Sequence, residues 1–149
     1  EESGAQKAKA AIVEPDWAKE DEEDDDEEEI GPEDISSREL ATKLHGEGRL
    51  TEKIIISAIN MGDHVFVRTS LILLSGHDGK EVRKILASKD SFVITALVWK
   101  TGLSMSFASV VQSRVVQIPR SETLPLSSSG GFPMSEKEMK HRLDAFLDL

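Results

Sequence analysis

Cysteine and tyrosine are both absent from this 149-residue chain, and each absence closes off some chemistry. Without cysteine there is no disulfide, no thiolate nucleophile and no Cys-ligated zinc or iron–sulfur centre. That composition suits a reducing compartment, so the cytoplasm is the expected location. Without tyrosine, and with two Trp and five Phe, the chain has little material for stacking nucleic-acid bases. Long hydrophobic runs are missing too. Ser70, Ser75, Thr95 and Lys100 interrupt the most apolar stretches, so none approaches the roughly 18 to 20 residues of a membrane-spanning helix. No membrane association is expected.

The patterns that mark catalytic and metal sites are equally scarce. His45, His64, His77 and His141 show no ligand spacing of the H-x-x-x-H kind, and no glycine-rich phosphate loop follows a strand. His141 lies between Lys140 and Arg142, which would attract phosphate to a phosphoacceptor histidine; a solvated surface histidine is the plainer reading. The expectation is a non-enzymatic protein with no cofactor and no metal.

What is present is a steep division of charge. Residues 1–34 hold sixteen acids against three lysines, net −13, and ten of those acids run without interruption from Glu20 to Glu29. Residues 35–149 hold twelve acids against fifteen Lys and Arg, net +3. The first segment has only Ile12, Val13, Trp17 and Ile30 as large apolar side chains, too few to offset the entropy of ordering a backbone. It reads as an acidic disordered arm. Within it, Ala11 to Trp17 sets an aromatic and two aliphatics beside acids, either a short docking motif or a few apolar residues in a loose tail. The acid run lacks the central glycine and converging turn of a calcium loop, so it reads as a solvated stretch that repels nucleic acid and attracts basic protein surfaces. The first residue is Glu rather than Met, which points to a fragment or processed chain.

From Ile35 onward the punctuation is helical. Ser36 with Glu39, Asp78 with Glu81 and Ser135 with Glu138 have the spacing of a capping box, in which cap side chain and acid satisfy each other's free backbone N–H groups. Thr51, Asp63, Asp90 and Ser104 are further candidate caps, and Gly62, Gly76 and Gly102 fall where a left-handed terminating residue belongs. These signals predict helices over 37–46, 52–61, 64–75, 79–88, 91–101, 104–118 and 136–149, the sixth ended by Pro119. Val65-Phe66-Val67, Leu71 to Leu74, Phe92-Val93-Ile94 and Val115-Val116 are β-rich. The segments nevertheless exceed the usual strand length and do not alternate polar with apolar, so helix is preferred. Segments 64–75 and 91–101 are apolar around most of their circumference and are expected at the centre of a layered stack.

The domain plan that follows is an acidic arm (1–34), a helical domain (35–119), a Ser/Gly/Pro linker (120–134) and a terminal amphipathic helix (135–149). Ser57-Ala58-Ile59 laid on Thr95-Ala96-Leu97 gives a period of 38 residues, near that of HEAT and armadillo repeats. Chance similarity between two apolar helices explains the match about as well. Within the block 50–103 stand Leu50-Thr51, Ala58-Ile59, Gly62-Asp63, Leu74-Ser75-Gly76, Val82 to Leu86, Ala96-Leu97 and Thr101-Gly102-Leu103. On these residues the block resembles the bacterial domain of unknown function 2336 family. The resemblance implies an all-α, HEAT-like antiparallel helical stack, a short α-solenoid, and implies no reaction.

Two features suggest binding. Lys80, Arg83 and Lys84, with Lys89 just beyond, make the helix starting at Gly79 the most basic element of the fold. Such a helix suits acidic groups on a protein partner, with nucleic-acid phosphates as the alternative. The arm is expected to compete for this helix and so to lower partner affinity. In the terminal helix, Met139, Leu143, Phe146 and Leu147 form one apolar stripe that must be covered, and Met134 is placed to staple onto Met139. Either the chain's own stack covers it, or a partner or second copy does. The functional expectation is a protein-interaction or regulatory module of the bacterial cytoplasm.

Overall fold

Local capping chemistry sets nearly every helix start in the computed structural model, which describes residues 32–148. The order is α1 (Pro32–Gly46), α2 (Glu52–Asn60), α3 (His64–Ser75), α4 (Gly79–Ser88), α5 (Ser91–Thr101), α6 (Met105–Val110), a π-helical turn (Val111–Val115), a 3-10 turn (Arg120–Glu122) and α7 (Glu136–Leu147). Side chains of Thr51, Asp63, Asp78, Asp90, Ser104 and Ser135 each accept a backbone N–H from the first turn they precede. Asp78 and Glu81 form the full reciprocal capping box. Gly62, Gly76 and Gly102 follow α2, α3 and α5 with φ of 76°, 82° and 85°, a conformation glycine adopts without steric penalty. The β-rich tripeptides of α3 and α5 are helical, and no strand occurs among the described residues.

Three boundaries differ from the sequence reading by more than one residue. α1 begins at Pro32, so Ser36 and Glu39 sit inside the helix rather than at its cap; proline at a first helical position explains the earlier start. The predicted 104–118 helix is α-helical only to Val110, then widens into the π turn and stops before Pro119. α7 closes at Leu147, with Asp148 left-handed at φ 63°. The first thirty-one residues and Leu149 lie outside the described residues, and with them almost all of the expected disordered arm and the Ala11–Trp17 motif.

Packing follows from which helices are apolar all round. α3 buries Val65 through Leu71 and contacts α1, α2, α4 and α5. Residues of α5 from Val93 through Val98 are all buried, and α5 contacts α3, α4, α6, the π turn and α7. α1, α3, α5 and α7 therefore form one row of successive neighbours, with α2, α4 and α6 connecting them. One cluster from Ala41 to Leu143 is the core. The two copies of the 38-residue match fall on different kinds of helix: α2 buries only Ile55 and Ala58, whereas α5 is enclosed on most sides.

Residues 120–134 are irregular but attached. Ser91 Oγ donates to the Glu122 carbonyl at 2.6 Å, and Leu124, Phe132 and Met134 pack against the core. α7 is thereby led onto α5, where Met139 and Leu143 are 1% and 3% exposed. Burying side chains of this size is worth about 1.5–3 kcal/mol each. Among the described residues, no helix is long and apolar enough to cross a membrane.

Candidate functional site

The basic helix and the terminal stripe, far apart in sequence, meet in space. Helix α4 turns Val82, Ile85 and Leu86 inward, and Arg83 goes with them at 6% exposure. Arg83 is thus a correction to the expected set of surface cations. It lies one position after Val82 and three before Leu86, so the helical phase carries its stem to the apolar side. Lys80, Lys84 and Lys89 remain exposed, Lys89 in a left-handed conformation at φ 55° just after the helix.

On the terminal helix, Met139 and Leu143 are buried in the chain's own core, whereas Phe146 and Leu147 are half-buried at its edge. Lys84 Nζ stands 5.4 Å from the centroid of the Phe146 ring, a distance at which the ring quadrupole attracts the ammonium. A surface groove of about 460 Å³ runs between the two helices, bounded by Lys80, Lys84, Ala87 and Phe146. One turn earlier on α7, the Arg142 guanidinium lies 4.2 Å from the Phe92 ring, which is 39% exposed. Arg142 also pairs with Glu138 at 3.0 Å.

The remaining histidine candidates divide. His141 is exposed, but its flanking cations are engaged: Lys140 with Asp144 at 2.9 Å and Arg142 with Glu138. A phosphate there would have to displace two carboxylates. His77 faces Glu81 at 3.0 Å and belongs to the α4 cap region. His45 is exposed on α1. His64 differs, because it lies at the rim of a cavity. Among the described residues, no group of three or more His, Asp or Glu is placed to hold a metal ion.

That cavity, about 200 Å³, is a feature the sequence reading missed. Ile59, Val67, Leu86 and Val115 form its apolar walls, while His64, Arg68, Arg114 and Gln117 supply its polar groups. The π-helical turn presents Arg114 and Val115 there, and Gln117 holds φ at 67°, left-handed for a residue with a Cβ. A π turn and a left-handed non-glycine residue beside a cavity are the kind of local departure that functional sites retain. Asp63, also on the lining, has both carboxylate oxygens committed. Ser37 Oγ donates to one at 2.7 Å and the Phe66 backbone N–H to the other at 3.1 Å.

No curated protein and no solved structure matches the chain. A family profile does match, over residues 1–127, which takes in the acidic run, α1 to α6 and the cavity and leaves out α7. The match reaches well beyond the 50–103 block from which the resemblance was read, and at this extent the chain belongs to the family described as uncharacterised protein conserved in bacteria (DUF2336).

Proposed function

We propose that this protein is a non-enzymatic interaction module of the bacterial cytoplasm, built as a short HEAT-like helical stack. It engages an acidic segment of a protein partner in the groove between α4 and α7. The observation that supports this most directly is the Lys84–Phe146 contact, flanked by exposed Lys80. An aromatic floor and mobile ammonium groups on the rim suit a peptide that carries carboxylates beside an apolar side chain. The row α1, α3, α5, α7 supports the solenoid reading, since in such folds each unit contacts mainly its neighbours.

The test is a titration of a partner captured from the source cell, then purified and added to the full chain. The reading expects Lys80→Glu combined with Lys84→Glu to weaken binding at least tenfold at low salt, with the far-ultraviolet circular dichroism unchanged. Affinity that is indifferent to the double substitution would refute it. Nucleic acid is the second reading, favoured by the two Phe rings that lie beside Lys84 and Arg142. It requires an affinity for single-stranded oligonucleotides that falls steeply as salt rises.

A further inference from the structure

Hydrogen bonding between Ser37 and Asp63 ties the first turns of α1 to the rim of the α3/π-turn cavity. We propose that this cavity is a docking site for carboxylates and that its occupant is the chain's own acidic run, Glu20 to Glu29. The arm acts there as an internal ligand, and not at the basic face of α4.

Three observations converge on this. Arg68 and Arg114 bring two guanidiniums to the lining, and the acid beside them, Asp63, already serves as the cap of α3 and the acceptor of Ser37. Arg68 has a partner of its own; Arg114 is exposed and half-ringed by the cavity's apolar walls. A carboxylate approaching Arg114 therefore meets a lining with two guanidiniums against one carboxylate, Asp63, whose oxygens already accept hydrogen bonds from Ser37 and Phe66, in a partly enclosed setting where charge pairs are screened less than on open surface.

The second observation is reach. Ser37 lies five residues into α1, so the helix start is about 7–8 Å from it at 1.5 Å per residue. The acid run ends at Glu29, with two residues between it and Pro32, where the helix begins. An extended residue spans about 3.3–3.6 Å, so even the last few acids can return to Asp63's neighbourhood and the ten together can cross the cavity mouth. The arm is thus tethered at the site it complements, and the high effective concentration of a short tether favours binding in cis.

The third is geometric and separates this site from the α4–α7 groove. Leu86 lines the cavity, while Lys84 lines the groove. Two residues along an α-helix are roughly 200° apart around its axis, so Leu86 and Lys84 face opposite sides of α4. An arm seated against Arg114 leaves Lys84 uncovered.

Because the chain has no cysteine, a single Asp24→Cys substitution gives one position for a nitroxide label on the full-length protein. Paramagnetic broadening of amide signals then reports where the acid run spends its time. The proposal expects broadening centred on His64, Val67, Arg114 and Gln117 at low salt, its loss in Arg114→Glu, and its retention in Arg114→Lys. Unchanged amide positions across the core would show that each variant is folded. Broadening centred on Lys80, Lys84 and Ala87, or a pattern that Arg114→Glu does not alter, would overturn it. The failure of this proposal leaves the groove reading untouched, since Lys84 takes no part in it.

Discussion

Gln112 grips Leu124 by two hydrogen bonds: the Leu124 N–H donates to Oε1 at 2.7 Å, and Nε2 donates to the Leu124 carbonyl at 3.2 Å. The glutamine side chain is wholly buried at the base of the π turn, so it satisfies one residue of an irregular segment as a second backbone would. Replacing it by Leu leaves a part-buried N–H and C=O without their partner, at up to about 1–3 kcal/mol for each group that water does not reach. Gln112→Leu is expected to lower the thermal midpoint by several degrees and to speed amide exchange at Leu124. An exchange rate unaltered from the parent would mean that Gln112 fills space and nothing more.

The gripped segment leads to α7, whose docking can be tested separately. Leu143 is 3% exposed on α5, and truncating a buried leucine costs about 2–5 kcal/mol. Leu143→Ala should release α7 before the rest of the core unfolds, because Met139 is then its one fully buried side chain, helped by the half-buried Phe146 and Leu147. Hydrogen exchange across Glu136–Leu147 would accelerate while α3 and α5 stay protected. A uniform loss of protection would instead make α7 part of one cooperative unit with the stack.

Capping chemistry explains why so much of the fold was legible. Asp63, Asp78, Asp90, Ser104 and Ser135 were readable because a cap is a local device, set by one side chain and the backbone within three residues of it. The all-helical class followed from those caps, and the central place of α3 and α5 from apolar residues on every side. Arg83 departs from the expected surface set because Val82, Ile85 and Leu86 fix the phase of α4 and carry the arginine stem inward, which charge density along the sequence does not register. Ser36 and Glu39 satisfied a spacing rule that Pro32 had already overridden. The cavity at Arg114 had no local signature: it depends on a π turn and on a left-handed Gln117, and Ile59, Leu86 and Val115 reach it from three different helical segments.

The Asp78 box gives a calibrated check on that local reasoning. Glu81 N donates to Asp78 Oδ1 at 2.8 Å and Asp78 N donates to Glu81 Oε1 at 3.2 Å. Asp78→Ala should cost about 0.5–2 kcal/mol, read by urea denaturation as a shift in midpoint at constant slope. Since Glu81 also meets His77 at 3.0 Å, Glu81→Ala removes two contacts at once and is expected to cost at least as much. If Asp78→Ala is neutral, α4 is held by Val82, Ile85 and Leu86 with no help from its cap.

Gln117 offers the sharpest separation between structure and function. Its φ of 67° lies in the left-handed region, which costs a residue with a Cβ roughly 1–2 kcal/mol and costs glycine far less. Glycine also loses more entropy on folding, by roughly 0.5–1 kcal/mol, so Gln117→Gly should come out between neutral and about 1.5 kcal/mol stabilising. Gln117→Val, β-branched at the same φ, should be destabilising. The glycine variant also strips the amide from the cavity wall without touching Arg114 or Asp63. If the amide helps to seat the acidic run, paramagnetic broadening from a label at position 24 will weaken in Gln117→Gly although the protein is no less stable. If the broadening is unchanged, the left-handed turn serves only to lead the chain from the π turn toward Pro119, and the arm is held by charge alone.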